Sequence, residues 1–159
     1  MKQELTDMQL TPHFNLSEFE VSKTAEKHGI DNRVPAKCIR NVKALAEELE
    51  VIRTIWGFPI IISSGYRCSA VNKMNHGAKR SQHMKGEAAD LVINPKKCGG
   101  WSLWKLFTII YEQMDFDQLI WETRPSGSRW IHVSFVTYRK NRHQCMQCKD
   151  GRTYQPLKL

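Results

Sequence analysis

Apolar residues recur along this chain in two rhythms. Between 35 and 56, Ile39, Val42, Leu45, Ala46, Leu49, Ile52 and Ile55 fall at spacings of three and one, which makes one continuous stripe on a 3.6-residue helix. Pro35 suits the first turn of such a helix, so the pattern predicts a long scaffold helix ending near Trp56. A second amphipathic stretch, 101–114, places Leu103, Leu106, Phe107 and Ile110 on one side. Shorter β-branched or alternating runs at 58–63, 88–94, 117–122 and 130–136 predict strands. The last two are joined by Thr-Arg-Pro-Ser-Gly-Ser-Arg, which reads as a hairpin connection. Upstream, residues 17–20 form a capping-box pattern opening a short helix, and Gly29 stands where a helix C-terminal glycine would. Residues 69–75 read as another short helix. Strands that alternate with helices yet close in a hairpin predict an α+β domain, a small antiparallel sheet packed against helices and backed by the helix that starts at Pro35.

The strand rhythm also assigns faces, because successive side chains point to opposite sides. In 88–94, Asp90 shares a face with Ala88 and Val92, while Ala89, Leu91 and Ile93 share the other. An even hairpin register puts Gln118, Ile120 and Glu122 on one face with His132 and Ser134, and turns Ile131, Val133 and Phe135 to the core. Composition divides the chain into a polar arm (1–12), a domain (13–136) and a basic, irregular tail (137–159), with no internal repeats.

The polar positions that this pattern leaves conspicuous begin at 81–90, Ser-Gln-His-Met-Lys-Gly-Glu-Ala-Ala-Asp. His83 and Asp90 are ordinary zinc ligand types, and three protein ligands plus one open position define a catalytic rather than a structural zinc site. Gly86 between them permits the chain to turn back through positive φ. The third ligand is His132, the one histidine in a buried strand, Arg-Trp-Ile-His-Val-Ser-Phe at 129–135. A His and an Asp seven apart also describe a solvated loop followed by a strand-end acid, so the spacing alone does not decide.

The wider pattern does. Ser81, His83, Gly86, Ala88 and Asp90 resemble, position for position, the Ser-x-His-x-x-Gly-x-Ala-x-Asp pattern of the zinc D-alanyl-D-alanine carboxypeptidase family, the VanY-like peptidases with a hedgehog-type fold. Ser64-Gly-Tyr-Arg67 and Asn72 upstream, and Trp130-Ile-His132 downstream, match in the same order, and the resemblance spans about 13–135. It implies one zinc per chain on His83, Asp90 and His132, and hydrolysis of peptidoglycan stem peptides by a D-Ala-D-Ala carboxypeptidase or a phage-type endolysin peptidase. Ser81, Gln82 and Asn72 are placed beside the substrate or behind the ligands, with Trp130 as a pocket wall. Arg67 is the candidate to hold the developing oxyanion or a terminal carboxylate, since a guanidinium offers two aligned donors. Many members carry an acidic base three residues before the last histidine, where this chain has Arg129. Glu122, returned to the site by the hairpin, is the replacement base, with Glu87 and Asp117 in reserve. A solvated strand-end acid at Glu122 would instead leave an inactive zinc-containing wall-binding module.

Composition narrows partners more than mechanism. The 159 residues contain 24 Lys and Arg against 16 Asp and Glu, a formal charge of +8, which favours a polyanionic partner. The anionic cell wall fits better than nucleic acid: only 138–142 interleaves basic and aromatic residues, and a nucleic-acid reading leaves the His-Asp-His set unexplained. Five cysteines without framework spacing read as free thiols in a reducing compartment; Cys145 and Cys148 would hold a metal only with further ligands. No apolar run is long enough to span a membrane, and the first ten residues lack the apolar centre of a secretory signal. These features predict a monomer made in the cytoplasm and acting at the wall once released.

Overall fold

The computed structural model describes residues 7–159. A short hairpin, β1 (Gln9–Thr11) and β2 (Phe14–Asn15), leads into helices α1 (Leu16–Glu20) and α2 (Lys23–His28). The long helix α3 (Ala36–Trp56) follows, then β3 (Ile61–Ser64), α4 (Ser69–Met74), a 3-10 turn (Gln82–Lys85) and β4 (Ala88–Val92). The chain finishes with α5 (Leu103–Gln113), the hairpin β5 (Gln118–Thr123) and β6 (Arg129–Ser134), and two last strands, β7 (Gln144–Cys148) and β8 (Tyr154–Pro156). Strands β3 to β8 form one sheet in the order β3-β4-β6-β5-β7-β8. Every pair is antiparallel except β5 with β7. The domain is α+β, as the pattern of elements predicts.

The sheet has one dry face. Ala89 and Leu91 from β4, Leu119 from β5, and Ile131 and Val133 from β6 are fully buried, in one cluster with Leu45, Leu49 and Ile52 of α3 and Leu106, Phe107 and Ile110 of α5. The opposite face carries the alternate residues, Asp90, His132, Ile120 and Glu122, as the period of two requires. Burying each large aliphatic side chain contributes about 1.5–3 kcal/mol, so the apolar alternation alone sets the register, and a slip of one residue would bury the charged set.

The sequence reading is corrected in several places. Pro35 lies one residue before the first turn of α3, as its N-cap. The buried stripe of that helix takes in Cys38 and Trp56 and leaves Ile55 44% exposed, because a 3.6-residue period drifts off a strict three-residue spacing over five turns. The short helix read between 17 and 29 is two helices broken at Val21. Asn15, not Ser17, caps the first: its N–H donates to Glu18 Oε2 at 2.7 Å. The arm read as 1–12 lies partly outside the described residues, and what is described is tied down. Residues 9–11 pair with β2, the Met8 carbonyl accepts from Leu16 N–H, and Thr11 Oγ1 donates to Glu50 of α3 at 2.8 Å.

The largest correction is the tail. Residues 137–159 are not wholly irregular but add two strands to the sheet: β7 lies along β5 in parallel and β8 returns beside β7. The sequence Gln-Cys-Met-Gln-Cys lacks β-branched residues, and its strand state comes from pairing with β5 rather than from local preference. Cys145 and Cys148 are three apart in this strand and so face opposite sides, and all five cysteines are free thiols.

Gly86 shows how the scaffold holds the polar face. Its φ is +74°, and a Cβ there would lie 2.6 Å from Val42 Cγ2 and 3.3 Å from the Cys38 carbonyl oxygen on α3. Gly86→Ala is expected to destabilise the fold by about 2–4 kcal/mol, combining left-handed backbone strain with overpacking. Denaturant unfolding measures it, and a change below ~0.5 kcal/mol would mean the turn is free to move.

Candidate metal centre and cleft

Three side chains on the open face converge. His83 comes from the 3-10 turn, Asp90 from the middle of β4, and His132 from β6 directly opposite Asp90 in the register. His83 Nε2 lies 3.3 Å from Asp90 Oδ1, and His132 Nδ1 lies 3.2 Å from the same oxygen. Ligands held ~2.0–2.1 Å from a tetrahedral ion stand ~3.3 Å from each other, so these separations suit a small cation. The hydrogen bonding argues the same way. His83 Nδ1 donates to the Gly65 carbonyl at 2.7 Å, a bond only an N–H can make, so the neutral ring presents a lone pair at Nε2. Burial of His83 lowers its pKa, outweighing the attraction of Asp90, and keeps the ring neutral. Two lone pairs, on His83 Nε2 and Asp90 Oδ1, then face each other without a hydrogen between them. Asp90 is buried, which alone would raise its pKa, yet the carboxyl is held far below the usual carboxylate range, with the hydrogen bond from His132 Nδ1 among the causes. The set can hold a metal ion.

The Ser64-Gly-Tyr-Arg67 motif is the support behind these ligands. Gly65 passes so close to α1 that a Cβ would sit 2.7 Å from the Phe19 backbone, and Tyr66 N–H donates to the Phe19 carbonyl. This close approach aims the Gly65 carbonyl at His83. Arg67 Nη2 donates to Asp90 Oδ2 at 2.8 Å and its Nε to Ser64 Oγ at 2.9 Å, leaving Oδ1 toward the two histidines. Such outer contacts fix the orientation and basicity of a ligand. Tyr66 itself is buried packing.

The cluster lies in an open cleft of about 960 Å³ over the polar face of the sheet. Ser81, Gln82, Trp130, Arg67 and Glu122 all line it. Ser81 Oγ accepts from the His83 N–H at 3.3 Å, and Gln82 Nε2 donates to Asp117 Oδ2 at 3.0 Å. Asn72 does not line the cleft. It is buried beneath the 76–80 loop, where its Nδ2 donates to the Ala78 carbonyl at 3.0 Å, so it shapes the loop from behind.

The register places Glu122 opposite Trp130, one same-face step from the Ile120–His132 pair, a diagonal separation of ~7 Å. It is 5% exposed and accepts from Arg124 Nη1 at 3.0 Å, and that guanidinium covers the Trp130 ring at 4.6 Å. Among the described residues the cleft lining holds two acids, Asp90 and Glu122. Of the two reserves, Asp117 is fully buried and paired with both Arg139 and Arg142. Burial opposes its ionisation, but these arginines hold it below the usual range. Glu87 is buried behind Gln82 and does not line the cleft, and burial raises its pKa.

Sequence reasoning missed one side of the cleft. Tyr138, Arg139, Arg142, Gln144, Met146 and Tyr154 all line it, and all lie in the tail. Their only sequence signal was the short basic and aromatic run at 138–142.

A sheet with one dry face and an open His-Asp-His cluster on the other defines an α+β protein with a three-residue metal site. Residues 12–134 match the family described as Peptidase M15, and the chain belongs to that family, the zinc D-Ala-D-Ala carboxypeptidase family of VanY-like enzymes. No curated protein matches the chain. M15 members are zinc-dependent metallopeptidases, and among the described residues no helix is long and apolar enough to cross a membrane.

Proposed function

We propose that this protein is a zinc peptidase that hydrolyses peptidoglycan stem peptides, as a D-Ala-D-Ala carboxypeptidase or a phage-type endolysin peptidase acting at the wall after release. The observation that carries the reading is the convergence of His83, Asp90 and His132, with each imidazole 3.2–3.3 Å from Asp90 Oδ1 and all three ligand atoms within 4.8 Å of one another, on the floor of an open cleft in an M15 fold. An ion held there polarises a carbonyl and makes water more acidic, toward a pKa of ~7.

The chain's own groups do the rest. Glu122 accepts a proton from the attacking water and returns it to the leaving amine, as the acid of the cleft that is not a ligand. Arg67 fixes Asp90 through Oδ2, and its Nη1, without a partner among the described residues, is the donor available to a carbonyl oxygen or a terminal carboxylate. Ser81 and Gln82 border the path of the peptide, and Trp130 with the Arg124 guanidinium on its face forms one wall.

The alternative, a wall-binding module without activity, draws on two observations: Arg129 stands where many members have the base, and Glu122 is engaged by Arg124. One assay separates them. The protein is loaded with zinc, incubated with purified peptidoglycan and with synthetic stem peptides, with and without a chelator, and the products are identified by mass. The expected result is about one zinc per chain and chelator-sensitive cleavage at one bond. Zinc binding without cleavage of any wall peptide would support the inert module.

A further inference from the structure

We infer that the segment beyond the family match, residues 137–159, gives the cleft a subsite for a side-chain carboxylate of an acidic peptide, formed by Arg139 and Arg142. The peptide itself rests on the proposed peptidase reading; the subsite rests on the following geometry. The match ends at residue 134, yet the sheet continues. β7 pairs with β5 so that Gln144 lies beside Gln118 and Met146 beside Ile120, and Ile120 is the partner of His132. The polar face that carries the metal ligands therefore runs on into the tail, and Gln144 and Met146 line the same cleft.

At one end of this floor the two arginines share a single carboxylate. Arg139 reaches Asp117 through Nη1 at 2.6 Å and Nη2 at 3.2 Å, and Arg142 through Nε at 3.1 Å and Nη2 at 2.8 Å. Asp117 is fully buried, whereas the arginine side chains are 36% and 48% exposed. Two cations on one anion leave a surplus positive charge on guanidinium groups whose geometry is already fixed. Elsewhere in the cleft Arg67 is paired with Asp90 and Arg124 with Glu122, while Arg80 and Lys85 line it without an acidic partner among the described residues and without contacts that fix their charged ends. The uncancelled charge at the tail end, with Arg139 Nε and Arg142 Nη1 outside the Asp117 pairing, is a preorganised receptor for a second carboxylate. Gln82 fixes its place: its side chain donates to Asp117 and its backbone leads directly to His83, so the arginine pair and the metal cluster are held by one short stretch of chain.

The test uses a set of peptides, each with one acidic residue at successive positions, paired with counterparts amidated at that residue. Binding to the zinc-loaded protein is followed by calorimetry, and KM and kcat are measured where cleavage occurs. At one position the acidic peptide should bind about tenfold or more tightly than its amide, the scale of a charge-assisted hydrogen bond. Arg142→Gln, with folding checked by circular dichroism, should bring that ratio toward one, and Arg142→Lys should restore part of it. A ratio near one at every position in the wild-type protein overturns the proposal, as does a ratio that Arg142→Gln leaves unchanged, which would make the arginines only a clamp for the tail. Preferential binding of an acidic peptide without cleavage would sink the peptidase reading and leave the subsite standing; cleavage without preference does the reverse.

Discussion

Asp90→Ala is expected to abolish metal binding and to weaken the fold in the same step. One oxygen of this carboxylate stands between two imidazoles and the other takes the Arg67 guanidinium. Losing a partner behind a ligand costs 10- to 100-fold in affinity, so losing the central ligand should cost at least ~100-fold. Arg67 is left as a charge only 16% exposed without its partner, and breaking such a pair costs up to about 3–5 kcal/mol when fully buried, hence ~2–4 kcal/mol here. His132→Ala separates the two effects, because it removes a ligand and strands no charge. It should lose the metal at comparable severity with a smaller loss of stability. Zinc titration and denaturant unfolding of the metal-free proteins measure both. Wild-type affinity in either variant would mean that the ion is held elsewhere.

The parts of this arrangement that sequence made legible are those with a period. The alternation in β4 and the parity of the hairpin assign Asp90, Glu122 and His132 to one face before any contact is known, since a strand repeats every two residues and the core accepts only one face. The three ordered motifs then tie His83 to that face. What stayed hidden depends on pairing between distant segments. Nothing local in Gln-Cys-Met-Gln-Cys announces a strand, and its parallel alignment with β5 is supplied by tertiary contact. Asp117 looked like a spare base because its sequence position cannot reveal two arginines 22 and 25 residues downstream closing on it. Asn72 could not be placed beside or behind the cleft from its position alone for a similar reason: its side chain is turned under Gly77, where a Cβ would lie 2.0 Å from Asn72 Oδ1. Gly65 entered only as a position in the Ser64-Gly-Tyr-Arg67 motif, whereas the backbone needs the missing side chain to pass Phe19 and reach His83.

Glu122→Gln is expected to keep the metal and the fold while lowering turnover by about 10²- to 10⁴-fold, the usual scale for a general acid or base. Two observations favour this residue. It is the cleft acid not in contact with the histidines, and it stands outside the His83, Asp90 and His132 group while sharing their face of the sheet, one diagonal step from His132. Glutamine preserves the volume, and its carbonyl oxygen still accepts from Arg124, so the wall of Trp130 and Arg124 should survive. Arg124 is part of the same argument. Its guanidinium is fixed by the Thr123 carbonyl at 2.7 Å as well as by Glu122 at 3.0 Å, which orients the carboxylate. Arg124→Gln should therefore lower kcat without changing zinc content, whereas a purely structural arginine would change stability and leave kcat in place. Near-normal turnover in Glu122→Gln would remove Glu122 from the reaction. Since Asp117 is locked by its arginines and Glu87 is buried and does not line the cleft, catalysis would then have to proceed without a side-chain carboxylate as base.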